Sequence, residues 1–201
     1  TGGAPLIVNL EGVLLDRPVT GVGADAHVMT SDDAAGLLAA LHVTAASLVN
    51  NHANDLGTEG RAETAAQLAA LGITPLQHGA AVDMGTFRLL PLNFIRGRFT
   101  GDAIANPDAL DAVCAIDAAP PLVAFVHWGE EYTTVPRASE TAIARALARC
   151  GVSAIIGAHS HQAATALTPL VGGASQMLYS LGNFLFDQSS PRGSGTLAEL
   201  R

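Results

Sequence analysis

The chain has 201 residues, 49% of them hydrophobic and 14% charged, a balance that excludes a disordered chain and allows a sizeable core without a metal or disulfide staple. Ten basic residues against eighteen acidic ones leave a formal charge of -8, which excludes general DNA or RNA binding because phosphate backbones need a basic footprint. Every basic residue is Arg, so Schiff-base lysine chemistry and a P-loop lysine are excluded as well.

In chain order, Leu6 to Leu10 reads as a buried strand leading into Glu11-Gly12. Ser31-Asp32-Asp33 caps a helix that runs to about Leu41, with Leu37, Leu38 and Leu41 as one apolar stripe. Thr44 to Val49 is a second strand, ending in Asn50-Asn51-His52, and Glu59 to Leu71 is a second helix stopped by Gly72. Thr86 to Phe94 reads as a strand, Arg96 to Asn106 as loop, and Asp108 to Ile116 as a short helix broken by Pro120-Pro121. Leu122 to Val126 is a strand ending at His127, Ala138 to Cys150 a helix closed by Gly151, and Ser153 to Ile156 a strand ending at Gly157 and His159. Gln176 to Ser180 and Phe184 to Phe186 complete the strands. Repeated strand-then-helix units predict an α/β fold with a largely parallel sheet, as one domain over residues 1–201.

Cys114 and Cys150 have no CxxC spacing, which excludes a Cys-type structural zinc site. They read first as two buried thiols, with a disulfide left open. No apolar run is long enough to span a membrane. The opening Thr1-Gly2-Gly3-Ala4-Pro5 lacks the basic segment and apolar core of a signal peptide, and lacks Met, so a longer parent protein is expected.

Ligand-type residues follow the strand ends in an orderly way. Glu11 follows the first, Asn51 and His52 the second, His127 a later one, and His159 and His161 another. In open α/β sheets, ligands bind outside the carboxyl ends of the strands, so four segments can converge there. Imidazole, carboxylate and amide donors suit Zn, Mn or Fe rather than Ca. The absence of thiolates among them points to an open catalytic site rather than a closed structural one. Each residue also has a plainer role: a histidine after a strand is often hydrogen-bonded core or surface, Glu11 can cap a turn, and Asn50-Asn51 can satisfy loop backbone. His27, His42 and His78 lie outside the pattern and read as surface residues. Trp128 reads either as core or as pocket lining beside His127. Glu130 and Glu131 read as partners that orient a ligating imidazole or, for one of them, as solvated.

Together these residues resemble the bacterial capsule-synthesis family of CapA type, associated with poly-γ-glutamate and similar to the calcineurin-like metallophosphoesterases. The matching blocks are Asn9-Leu10-Glu11, Asn50-Asn51-His52-Ala53-Asn54-Asp55-Leu56-Gly57, His127-Trp128-Gly129-Glu130-Glu131-Tyr132, Gly157-Ala158-His159-Ser160-His161 and Tyr179-Ser180-Leu181-Gly182-Asn183-Phe184-Leu185-Phe186-Asp187. The resemblance implies a four-layer α-β-β-α sandwich with two divalent metal ions (Mn, Zn or Fe) at the loop end. Glu11 takes the bridging-carboxylate position, Asn51, His127 and His159 would bind one metal, and His161 the other. His52 matches the histidine that protonates the leaving group or holds the phosphate, Asp55 would orient it, and Asn183 would line the substrate site. Two positions depart from the family pattern: Ala158 stands where an extra His is usual and Ser160 where Pro is usual. The family also opens with a strand ending in Gly-Asp, whose Asp binds the first metal, and that strand is expected upstream of Thr1.

The implied function is metal-dependent hydrolysis, of phosphate esters first, on an anionic small-molecule or polymer substrate in capsule or poly-γ-glutamate biosynthesis. The same metals could instead act on an amide or glycan linkage. The alternative outside enzymes is a polymer-binding or assembly subunit of a capsule synthesis or export complex; fold alone does not separate these. Family members are often anchored at the bacterial cell surface, which implies an extracytoplasmic location.

Overall fold

A short apolar segment becomes a parallel strand when a polar turn ends it and a helix carries the chain back to its starting edge. The computed structural model describes residues 4–95, 110–185 and 195–200. The described residues up to His78 make one compact unit and those from Gly79 onward another.

In the first unit the order is β1 (Leu6–Asn9), β2 (Val13–Leu15), β3 (Val28–Thr30), α1 (Ser31–Ala40), β4 (Val43–Ser47), α2 (Gly57–Ala70) and β5 (Thr74–Leu76). Strands β1, β4 and β5 form a parallel sheet in that order, and β2 and β3 form a separate parallel pair. Their inward side chains, with Ala34 and Leu38 of α1 and Leu68 of α2, make the core of this unit. The Leu14 amide donates to the buried Thr64 Oγ1 at 2.9 Å, which fixes β2 against α2.

Helix α1 is capped one residue earlier than the sequence suggests, by Thr30, whose Oγ1 accepts from the Asp33 amide. Its apolar stripe also differs. Leu37 is 48% exposed, whereas Ala34 and Leu38 are buried and Leu41 packs beside them. Neighbouring residues on a helix lie about 100° apart, and with the buried face centred on Ala34 and Leu38, Leu37 is turned toward solvent. Helix α2 begins at Gly57, before the expected Glu59, and Gly72 ends it in the left-handed conformation that its missing Cβ allows (φ +74°).

The second unit contains β6 (Val82–Asp83), β7 (Arg88–Asn93), α3 (Asp111–Cys114), β8 (Leu122–His127), α4 (Ala138–Arg149), β9 (Val152–Ala158), β10 (Thr168–Leu170) and β11 (Ser175–Leu178). They form a six-stranded sheet in the order β10-β11-β9-β8-β7-β6. The four inner strands are parallel, and β6 and β10 pair antiparallel at the two edges. Strand β8 is buried at every position, as expected for a parallel strand covered on both faces.

Five strands escaped the sequence reading: β2, β3, β5, β6 and β10. Each is only two or three residues long. Strands β5 and β10 carry Pro75 and Pro169 and lie at sheet edges, where a missing amide donor costs least. The final expected strand is not formed in its described part: Phe184 and Leu185 sit in a bend and are 49% and 61% exposed. Phe186, Asp187, the loop from Arg96 to Asn106 and the expected helix start at Asp108 lie outside the described residues.

The two cysteines are not separate buried thiols. Cys114, exposed at the end of α3, forms a disulfide with Cys150 at the C-terminus of α4. The bond closes a 36-residue separation, for which the loss of unfolded-chain entropy amounts to about 3–4 kcal/mol. Reduction, or replacement of both cysteines by Ser, is therefore expected to lower the unfolding free energy by about that amount in urea titration. Reductant should have no further effect on the double variant.

Candidate functional site

In the first unit the site grows from the ends of two neighbouring strands. Asn9, the last residue of β1, is in register with Ser47, the last of β4. Beyond these come Leu10-Glu11 on one side and the turn Asn50-Asn51-His52 on the other. Asn50 is buried and uses both ends of its amide. Its Nδ2 donates to Asn9 Oδ1 at 3.1 Å and to the Leu10 carbonyl at 2.8 Å, while its Oδ1 accepts from the His52 amide at 3.1 Å. Asn9 Nδ2 in turn donates to Glu11 Oε2 at 3.1 Å. A carboxylate and an imidazole beyond the ends of different strands are thereby positioned by one side-chain network. Asn51 lies half-buried in the same turn.

The His52 ring donates from Nδ1 to Asp55 Oδ2 at 2.9 Å, so the two residues are in contact. The Asp55 side chain is fully buried and that of His52 is 15% exposed. Asp55 Oδ1 is buried with no hydrogen-bond partner among the described residues. His27, read from the sequence as a surface residue, is half-buried and stacks on His52, with ring centroids 3.7 Å apart. Donor atoms of His27, His52 and Asp55 all lie within 4.8 Å of one another, a candidate cation-binding cluster. His42 is exposed, as the sequence suggests, and His78 is half-buried.

In the second unit β8 and β9 are parallel neighbours, and His127 pairs in register with Ala158, the residue before His159. This register brings two imidazoles from distant sequence positions to one sheet end. Their ring centroids are 4.8 Å apart at 61°, and donor atoms of the two lie within 4.8 Å of each other. His161, 6.2 Å from His159 between ring centroids, donates from Nδ1 to Asn183 Oδ1 at 2.8 Å. That bond leaves the lone pair on Nε2, the form in which an imidazole binds a metal. Nitrogen donors at His127, His159 and His161 suit a first-row transition metal.

The backbone around these histidines is strained. His159, His161 and Tyr132 have φ of +97°, +58° and +64°, a region that non-glycine residues seldom adopt and that costs on the order of 1–3 kcal/mol each. Local bonds hold the conformation: the Tyr132 amide donates to the Ser160 carbonyl at 2.6 Å, and Ser160 Oγ donates to the Gln162 carbonyl at 3.1 Å. Tyr132 stacks on His161 with centroids 5.9 Å apart.

Trp128 is core rather than lining. It is 1% exposed and donates from Nε1 to the Tyr179 carbonyl at 2.9 Å. Burial raises the Tyr179 hydroxyl pKa, an effect opposed by its hydrogen bond with Thr133. Glu130 is exposed and paired with Arg137, and Glu131 is exposed. Asn9, Asn50, His27 and Tyr132 were not singled out as site residues. Asn9 was discoverable, because it stands two positions before Glu11 and bonds its carboxylate; nothing local to His27 announces its place.

The family profile described as bacterial capsule synthesis protein PGA_cap matches residues 4–85 and 94–188. The chain is 27% identical to the "PGA biosynthesis protein CapA" of Bacillus subtilis (strain 168), covering 83% of this chain and 48% of the relative. It is also 27% identical to the "Capsule biosynthesis protein CapA" of Bacillus anthracis, covering 83% of this chain and 46% of that one. The chain thus spans about half the length of the curated relatives it matches. The crystal structure of a hypothetical protein from Thermus thermophilus covers 88% of this chain and 64% of its own, at 19% identity and a TM-score of 0.49.

Asn50→Ala strands the His52 amide and takes one of two donors from the Leu10 carbonyl, which keeps the Gly12 amide. It is expected to lower unfolding stability by about 1–3 kcal/mol in a denaturant titration. Asn50→Asp, which keeps the acceptor but loses the donor, should recover part of that loss.

Proposed function

Because the chain belongs to the PGA_cap family of bacterial capsule synthesis proteins, we propose that it is a metal-dependent hydrolase of phosphoesterase type, acting in capsule or poly-γ-glutamate biosynthesis. The observation that carries this reading is the His52–Asp55 pair, 2.9 Å apart in the turn after β4. A buried carboxylate holding Nδ1 is what a histidine needs in order to move a proton at Nε2. The nitrogen donor set of the second unit supports the metal requirement.

In this reading Glu11, Asn51, His127, His159 and His161 hold two divalent cations of the Mn, Zn or Fe class, and the fold is the four-layer sandwich of the metallophosphoesterases. Bound cations would neutralise phosphoryl charge and lower the pKa of a water nucleophile. The chain's own residues do the rest. Asn9 directs the Glu11 carboxylate, and Asn183 holds His161 in its metal-binding tautomer. Asp55 keeps His52 oriented, and the partial exposure of that ring lets Nε2 reach a leaving-group oxygen. Asn183 additionally belongs to the wall that meets substrate. An acidic protein repels an anionic substrate, so the cations also offset the formal charge of -8.

We place the protein outside the cytoplasm. The disulfide between Cys114 and Cys150 supports an oxidising compartment, and among the described residues no helix is long and apolar enough to cross a membrane.

Turnover of p-nitrophenyl phosphate and bis-p-nitrophenyl phosphate with added Mn or Zn tests the proposal, and EDTA should abolish it. His127→Ala is expected to lose metal, measured by elemental analysis. His52→Ala should retain metal while turnover falls about 10²–10⁴-fold. A metal-loaded protein with no EDTA-sensitive turnover overturns the hydrolase reading. Binding of poly-γ-glutamate without hydrolysis would then favour an assembly subunit.

A further inference from the structure

His27 meets the His52–Asp55 pair in two ways and is itself anchored to a third group. Its backbone amide donates to Asp55 Oδ2 at 2.6 Å, the same oxygen that accepts from His52 Nδ1. Its ring lies nearly parallel to that of His52, with centroids 3.7 Å apart and 15° between planes. Its own Nδ1 donates to the Glu11 carbonyl at 3.2 Å. The loop carrying His27 is fixed in turn, since the His27 carbonyl accepts from the Val13 amide at 2.8 Å. Gly12 permits this approach: a Cβ there would stand 2.8 Å from the His27 carbonyl oxygen and 3.0 Å from its Cβ.

We propose that His27 is a positioning residue for His52, clamping the ring by stacking and sharing Asp55 with it. A single hydrogen bond at Nδ1 leaves the imidazole able to tilt about that contact. A flat neighbour at van der Waals distance removes the tilt, and the second donor on Oδ2 keeps the carboxylate from rotating away. The cluster works as a clamp rather than as a cation site. Lone pairs of an imidazole lie in the ring plane, so two nearly parallel rings direct them alongside each other instead of at a common ion. Asp55 Oδ2, moreover, already serves two N–H donors.

The kinetic half of the test rests on the hydrolase reading, whereas the spectroscopic half does not. In ¹⁵N NMR at a pH where imidazole is neutral, His52 of the native protein should show one tautomer, protonated at Nδ1. His27→Ala should shift it toward a mixture of tautomers, and His27→Phe, which keeps a flat ring, should restore the native pattern. Gly12→Ala, which retains the histidine but displaces it, should resemble His27→Ala. If the protein turns over phosphate esters, His27→Ala should lower kcat about tenfold with KM and metal content little changed, and His27→Phe should recover most of the loss. An unchanged His52 tautomer in both His27→Ala and Gly12→Ala overturns the proposal. So does zinc, titrated alone, that binds the native protein with one equivalent fewer in His27→Ala. Absence of turnover with the tautomer shift intact would remove the hydrolase reading and leave the clamp standing.

Discussion

One buried side-chain amide, that of Asn50, holds the first unit's site together. It links the ends of β1 and β4 with two hydrogen bonds and fixes its own turn with a third, and through Asn9 its influence reaches Glu11. A buried amide must satisfy both its donor and its acceptor, so its partners cannot drift without a penalty. The functional groups are thus tied to the rigid ends of strands rather than to a loose turn.

The second unit solves the same problem with strain instead of an amide. Three residues in the left-handed region bring Tyr132 and two histidines together at the end of β8 and β9. Such backbone survives only where surrounding bonds and packing outweigh its cost. Here the packing is supplied by Trp128 and Tyr179. Gly157 lets them meet, because a Cβ at that position would collide with the Tyr179 carbonyl and the Trp128 indole. A chain turning this tightly places its side chains with little freedom, which suits groups that must hold a fixed geometry.

Contacts are legible in the sequence where they follow from a residue's neighbours in the chain. His52 and Asp55 are three apart, and a turn of that length brings them to hydrogen-bond distance. His127 and His159 were placed at strand ends by the apolar runs before them, and the parallel register of β8 and β9 then made them neighbours. The reading failed where the deciding contact was remote. Trp128 looked equally suited to core and cavity, and its burial depends on Tyr179, far along the chain. Leu37 looked like part of a stripe until the core position chose Leu38. The thiols of Cys114 and Cys150 looked separate because no local feature shows that α3 and the end of α4 meet.

Sequence alone therefore determined the alternation of strands and helices, the family, and which residue types stand at the strand ends, since all three are written in short runs and fixed spacings. Tertiary structure alone decided that the cysteines are bonded and that His27 lies on His52 rather than in solvent. It also decided that Asn50 ties two strands together. These depend on which distant segments pack side by side, and contact across a fold is set by the whole core rather than by any window of the chain.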